Sequence, residues 1–243
     1  MVNLNLVSHF LSHNPLLTLL LIAHFLADFQ WQSQKMADLK SHNWFYLSEH
    51  LCIVALPLIF ISVFIPEAFV MALLIFISHA VIDSAKLLLY PFYKNRQLDK
   101  MIFLLDQALH LFMIAMIYLL SKHIAIDWLK EAQYSLKLIL FLLLITKPVN
   151  IIFKLFFNKY QVKNTDDDET ITGAGATIGL LERLIMGIFL LFGQFASIGL
   201  VFTAKSIARY DKISKNQAFA EYYLIGSLFS IISVLLVYAV CLI

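Results

Sequence analysis

Residues 15–34 read PLLTLLLIAHFLADFQWQSQ, an apolar run long enough to cross a bilayer that nevertheless carries His24 and Asp28 within it. A membrane-spanning helix needs about 20 predominantly apolar residues. Ionisable groups are costly in hydrocarbon, so those found there turn towards a bundle interior, pair with one another, and mark an ion, proton or substrate site. A spacing of four puts His24 and Asp28 on one helical face, about 6 Å apart along the axis. The same spacing returns twice in later apolar stretches, as His79 with Asp83 and as Asp106 with His110. Imidazole and carboxylate together are a ligand set suited to zinc and other divalent first-row metals.

Composition agrees with the bilayer as solvent. The 243 residues are 61% hydrophobic and 14% charged, with a mean hydropathy of +0.82, well outside the balance of a soluble domain. A net charge of +2, dispersed among loops, argues against a nucleic-acid partner. Cys52 and Cys241 both sit in apolar segments and supply neither a disulfide framework nor a metal knuckle. Residues 1–15 are polar and lack the basic region of a signal peptide, so the first helix is expected to stay in the mature chain.

Candidate spans are residues 15–34, 45–65, 67–91, 102–121, 134–157, 175–203 and 219–243. The expected fold is all-α: a polytopic transmembrane helix bundle of about seven spans. Gly187, Gly193 and Gly199 around Gln194 leave room for one broken or re-entrant helix near 187–199. Pro15 suits a first turn, and Pro66–Glu67 forms a tight turn between antiparallel neighbours. Two parts are expected: 1–122, a four-helix membrane unit with the His/Asp layer, and 123–243, with a cytoplasmic acidic loop at 158–172 carrying Asp166, Asp167, Asp168 and Glu169.

Lys35 and Lys40, then Lys94, Arg96 and Lys100, then Lys159 and Lys163 occupy alternate loops, whereas the Pro66–Glu67 turn has no cation. The positive-inside rule puts those loops in the cytoplasm and the N-terminus outside, as in a multi-pass protein of the inner (plasma) membrane. Lys205, Arg209, Lys212 and Lys215 obey it only if 175–203 does not cross once; both arrangements stay open. On this topology His24, Asp28, His50, His79, Asp83, Asp106 and His110 all fall in the cytoplasmic half, at similar depth. That register makes them one site. A metal centre is the preferred reading, ahead of a proton or ion pathway and of a packing network.

Four imidazoles and three carboxylates exceed what one tetrahedral zinc needs, so two ions, or one with Asp28 or Asp106 as general base, both fit. Gln32, four residues after Asp28, is placed to orient a ligand, and Lys86 to snorkel or to hold an anion. Lys147-Pro148-Val149-Asn150 and the adjacent Glu182 and Arg183 form a second constellation in which one of the latter two faces the site. Lys205 and Arg209, four apart, suit a phosphate or headgroup or simply end a helix. Tyr210, Tyr222 and Tyr223 read as interfacial anchors.

The stretches AHFLADFQWQSQKMA (23–37), HAVIDSAK (79–86) and DQALH (106–110) resemble the main domain of a bacterial membrane-protein family, domain of unknown function 3307. IGLLERLIMG, AKSIARY and EYYLIGS resemble the C-terminal half of its longer members. The resemblance implies one set made of the seven His and Asp residues, adds Lys205, Arg209 and Glu221 as candidates, and supplies no reaction. A fainter likeness to metal-dependent membrane hydrolases is analogy alone.

The expected function is a metal-dependent hydrolase, with zinc as one or two ions activating water against an amphiphilic phosphate or ester at the cytoplasmic leaflet. The alternatives are a proton- or divalent-metal-coupled transporter and a non-catalytic scaffold. The bilayer and a lipid-like substrate are the expected partners; the oligomeric state is open. The four imidazoles should surround a common centre with at least one aspartate, supported by Gln32 or Lys86.

Overall fold

The computed structural model describes residues 5–93, 98–121, 124, 126–161 and 173–243. Lys94, Arg96, Lys163 and the acidic run 166–169 lie outside the described residues. Among those described there are helices and no strands. In order they are α1 (Asn5–His13), α2 (Pro15–Phe25) continued by a π-helical turn (Leu26–Trp31), α3 (Gln34–Leu39), α4 (Trp44–Phe64) and α5 (Phe69–Tyr93). Then come α6 (Asp99–Leu120), α7 (Asp127–Glu131), α8 (Gln133–Ile145), α9 (Lys147–Phe157), α10 (Ala174–Leu191), α11 (Phe195–Ala208), α12 (Tyr210–Lys215) and α13 (Gln217–Leu242). Six helical stretches are long and apolar enough to cross a membrane, or seven if the pair Asn5–His13 and Pro15–Trp31, bent by 102°, is one span. The protein is a multi-pass helical membrane protein.

Contacts divide the chain into two compact units, Phe10–Leu140 and Met1–His9 with Phe141–Ile243. The sequence reading divides it at 122/123.

In the first unit α4 packs on α5, α5 on α6, and α2 on both α4 and α6, which closes a four-helix bundle. Outward-facing Phe60, Val63, Phe64, Val70 and Phe112 are more than half exposed, as lipid contact requires. With lipid on one side and side chains on the other, these helices associate through close packing and polar contacts rather than through the hydrophobic effect. Residues 5–13 depart from the polar lead expected of them and form a helix. Its break from α2 comes at Asn14–Pro15, where Pro15 opens α2 without needing a donor for its missing N–H. Asn14 Nδ2 donates to Phe10 O at 2.8 Å, and Tyr118 Oη donates to Asn14 Oδ1 at 2.8 Å, so the polar groups at the corner are used. The Pro66 turn is as expected: a 3-10 segment, Pro66–Ala68, joins α4 to α5.

In the second unit α10 packs on α13, α11 and α9. The stretch 175–203 is broken rather than continuous. Gly193, at φ +69°, donates its N–H to Leu190 O at 3.0 Å, and the Gln194 N–H reaches Phe189 O at 2.7 Å. That pair of bonds is a Schellman stop, which satisfies the last carbonyls of α10 and needs a left-handed residue that glycine supplies at no steric cost. Gly187 has another use: a Cβ there would lie 3.2 Å from Phe141 and Ile145, so it lets those side chains of α8 pack closely on α10. The 14 residues of α11 span about 21 Å, short of the roughly 30 Å of hydrocarbon.

Candidate metal centre

Four helices of Phe10–Leu140 converge on one polar layer. His24 ends α2, Asp28 sits in the π turn after it, His50 lies two turns into α4, His79 and Asp83 share a face of α5, and Asp106 and His110 share a face of α6. All seven side chains are buried. His79 stacks on His110 with centroids 4.0 Å apart, and His50–His79, His24–His110 and His24–His79 lie at 5.4, 5.5 and 5.9 Å. The layer is therefore about one helical turn deep.

Its internal distances have a pattern. His50 Nε2 lies 3.2 Å from His79 Nε2, 3.5 Å from Asp28 Oδ1 and 3.2 Å from Asp83 Oδ2; His79 Nε2 lies 3.4 Å from each of the same two oxygens. Ligand atoms held tetrahedrally about 2.0–2.1 Å from one ion stand about 3.3–3.4 Å apart. Five of the six separations among these four atoms fall within 0.2 Å of that spacing. The other oxygen of Asp83 faces a second group: Oδ1 is 3.5 Å from His110 Nε2, which is 3.7 Å from Asp106 Oδ1. Asp83 thus reaches both clusters with one carboxylate.

Hydrogen bonding points the same way. His24 Nδ1, Asp28 Oδ1, His50 Nδ1, Asp83 Oδ1, Asp106 Oδ1 and His110 Nε2 are buried and make no hydrogen bond. Buried polar atoms almost always have partners, and orphans in low dielectric are expensive. Gln107 shows how His24 is prepared. Its Oε1 can only accept, so His24 Nε2 donates to it at 3.3 Å, which leaves Nδ1 as the open nitrogen beside Asp28 Oδ1 at 3.9 Å. The Gln107 amide donates in turn to Asp28 Oδ2 at 3.2 Å. One side chain from α6 orients two groups from the α2 segment, as the outer partners of metal-ligating histidines do.

Gln32 does not fill that role. The π turn ends at Trp31 and Gln32 is extended (φ −73°, ψ 123°), so the α-helical face that would align it with Asp28 is gone; its Oε1 is buried without a hydrogen bond. Of the two courses open to Lys86, snorkelling or facing inward, it takes the second, with Nζ donating to Asp106 Oδ2 at 2.9 Å.

Lys40 is the residue that the spacing argument missed. Read as a loop cation, it instead lies at the end of α3 with its side chain folded into the layer, 6% exposed. Its ammonium donates to His50 Nε2 at 2.9 Å and to Asp83 Oδ2 at 3.5 Å. Burial disfavours its charge, but Asp83, Asp28 and Asp106 outweigh that and hold its pKa above the usual lysine value. Ser33 starts α3 by accepting the Met36 N–H at 3.2 Å. The available signal was Met36 and Lys40, four apart on one face, both buried.

Residues 16–139, just over half of the chain, match a protein family described as protein of unknown function, DUF3307. The chain belongs to that family. Its DUF3307 region contains all seven His and Asp residues together with Lys40, Lys86 and Gln107, whereas IGLLERLIMG, AKSIARY and EYYLIGS fall outside the matched residues. No curated protein and no solved structure matches the chain.

Outside the DUF3307 match, the second constellation is occupied by its own bonds. The α8–α9 break at Thr146 precedes Pro148, which has no N–H to return to the preceding turn. Arg183, 2% exposed, fills that gap: Nε donates to Ile145 O at 2.6 Å, Nη2 to Thr146 O at 3.4 Å, and Nη2 also to Asn150 Oδ1. Gly179 leaves room for it, since a Cβ there would meet Nη1 at 3.2 Å. Lys205 donates to Glu182 at 2.7 Å and lies over the Tyr223 ring. Arg209 caps α11, so it does not continue the face of Lys205, and exposed Glu221 accepts from Gln217 at 3.2 Å. Tyr223 is buried and shares a hydrogen bond with the Ser206 hydroxyl, which removes it from the expected anchors.

Proposed function

We propose that the buried layer is a divalent-metal centre and that the chain is a metal-dependent membrane hydrolase. The observation that carries this is the quartet His50 Nε2, His79 Nε2, Asp28 Oδ1 and Asp83 Oδ2, with five separations of 3.2–3.5 Å, set among buried ligand atoms that have no other partner. Mixed imidazole and carboxylate donors suit zinc. His110, Asp106 and the far oxygen of Asp83 offer a second position, and His24 Nδ1 a further ligand to the first. A zinc held there would supply a water activated for attack at neutral pH. With a single ion Asp106 would be free to act as base, since Lys86 holds its Oδ2 while Oδ1 is open to take the water's proton. The water would add to a phosphoryl or acyl centre, and the proton taken by Asp106 would pass to the leaving alcohol.

The exposed apolar faces of α4, α5 and α6 support a substrate that arrives through the bilayer, an amphiphilic phosphate or ester. Lys35 and Lys100, on the same side of the spans as the layer, support a cytoplasmic leaflet of the inner membrane. The test is metal content after chelator-free extraction, followed by hydrolysis of micellar phosphate and carboxylic esters before and after chelation. At least one zinc per chain, with hydrolysis lost on chelation and regained on readdition, supports the reading. A folded protein that takes up no divalent metal sinks it.

A further inference from the structure

We infer that the centre takes its metal together with an oxyanion of phosphate type, and that Lys40 couples the two. This rests on the metal reading above and goes on to what must share the site. Lys40 donates to His50 Nε2 and Asp83 Oδ2, two atoms of the proposed quartet, at 2.9 and 3.5 Å, and those atoms are 3.2 Å apart. Any ion about 2 Å from both is therefore no more than about 4 Å from the Lys40 nitrogen. The ammonium is seated against the very lone pairs that a metal would take.

A buried ammonium and a dication at that distance repel strongly, because the low-dielectric interior screens them poorly. Lys40 also has little freedom to retreat, since it is buried at the end of the short helix α3, whose other inward residue, Met36, is 3% exposed. The two cations can be neighbours if an anion lies between them, bound to the metal through one oxygen and to Lys40 through another. The charges ask for the same thing. Leaving the imidazoles aside, three carboxylates and the two ammoniums of Lys40 and Lys86 carry one net negative charge; one dication reverses the sign. Once metal takes His50 Nε2 and Asp83 Oδ2, Lys40 loses both its acceptors, whereas Lys86 keeps Asp106 Oδ2. A tetrahedral oxyanion offers acceptors for the metal and for the Lys40 ammonium, and phosphate carries the charge to match.

The source can be a phosphorylated headgroup or free phosphate, and zinc titration separates them. Zinc affinity is measured at chelator-buffered free zinc for wild type, Lys40→Met and Lys40→Arg, each first shown to be monodisperse in detergent. Measurements are made alone, with inorganic phosphate, and in nanodiscs of phosphatidylcholine with or without phosphatidic acid. Wild type should bind zinc at least about tenfold more tightly with the oxyanion than without it. Response to inorganic phosphate identifies free phosphate as sufficient; response to phosphatidic acid alone identifies the headgroup. Lys40→Met should bind zinc without help about as tightly as wild type does with the oxyanion, and respond to neither anion, while Lys40→Arg keeps the dependence. Equal zinc affinity in wild type and Lys40→Met, with no anion effect, overturns the coupling while leaving the metal centre standing. No zinc in any protein under any condition overturns both. If Lys40→Met does not fold, the wild-type titration with and without anion decides alone.

Discussion

The two compact units treat buried polar groups in opposite ways. In Phe141–Ile243, Arg183 answers the carbonyls left at the α8–α9 break, Asn150 accepts from Arg183, and Lys205 meets Glu182. Among the described residues of that unit, Ser227 Oγ is the one buried side-chain atom without a hydrogen bond. In Phe10–Leu140 three carboxylates and four imidazoles are packed into one layer, and six of their ligand-type atoms have no hydrogen-bond partner. Polar residues that repair a helix are used up by the repair. Those of the His/Asp layer keep unpartnered atoms, as the proposed ion site requires, and that difference separates the two units where residue type alone does not.

Four single substitutions and one double variant test the contrast, in descending order of effect. Asp83→Ala should be the most damaging, because it strands the Lys40 ammonium and removes the carboxylate that faces both clusters. Breaking a buried pair costs about 3–5 kcal/mol, to be read from thermal unfolding in detergent, with loss of bound metal alongside. Adding Lys40→Met should restore most of the stability without restoring the metal; a double variant as unstable as the single would show that the pair is not the cause. Arg183→Met should cost about 1–3 kcal/mol by abandoning the Ile145 carbonyl while leaving metal content unchanged. Metal loss in that variant would erase the contrast between the units.

Gln107→Leu should fold nearly as wild type but bind metal about 10–100-fold more weakly, as loss of an outer hydrogen bond to a ligand does. An unchanged zinc titration would remove Gln107 from the site. Glu182→Gln should be mildest: its partner Lys205 is 23% exposed in its side chain, and such a pair contributes about 1 kcal/mol or less, with no effect on metal.

The bundle and the seven-residue layer were legible because each rests on a one-dimensional regularity: apolar runs of spanning length, and His/Asp pairs four apart at matched depth. Lys40 was not, because it reaches the layer through a chain reversal after Ser33, and a lysine just past a span resembles every other juxtamembrane cation. Gln32 was misplaced for a related reason. The spacing argument assumed 3.6 residues per turn across a stretch that is wound as a π-helix. Arg183 was read only as one of an adjacent pair, with Glu182, of which one faces the site, and its purpose depends on Pro148, thirty-five positions earlier in the chain. The glycines near 187–199 marked a break correctly in kind, though only Gly193 has the backbone that makes it.

The π turn at Leu26–Trp31 has a consequence for how this protein can vary. Such a turn holds slack that an α-helix does not. A single lost codon at Leu26 or Ala27 would let the turn rewind as α-helix, so insertion into the membrane would proceed and the residues beyond would keep their facing. His24 and Asp28 would then stand three residues apart instead of four, and the Gln107 amide that now joins them would no longer fit both. Hydropathy, charge and composition would stay almost unchanged, so in this segment spacing matters as much as residue identity.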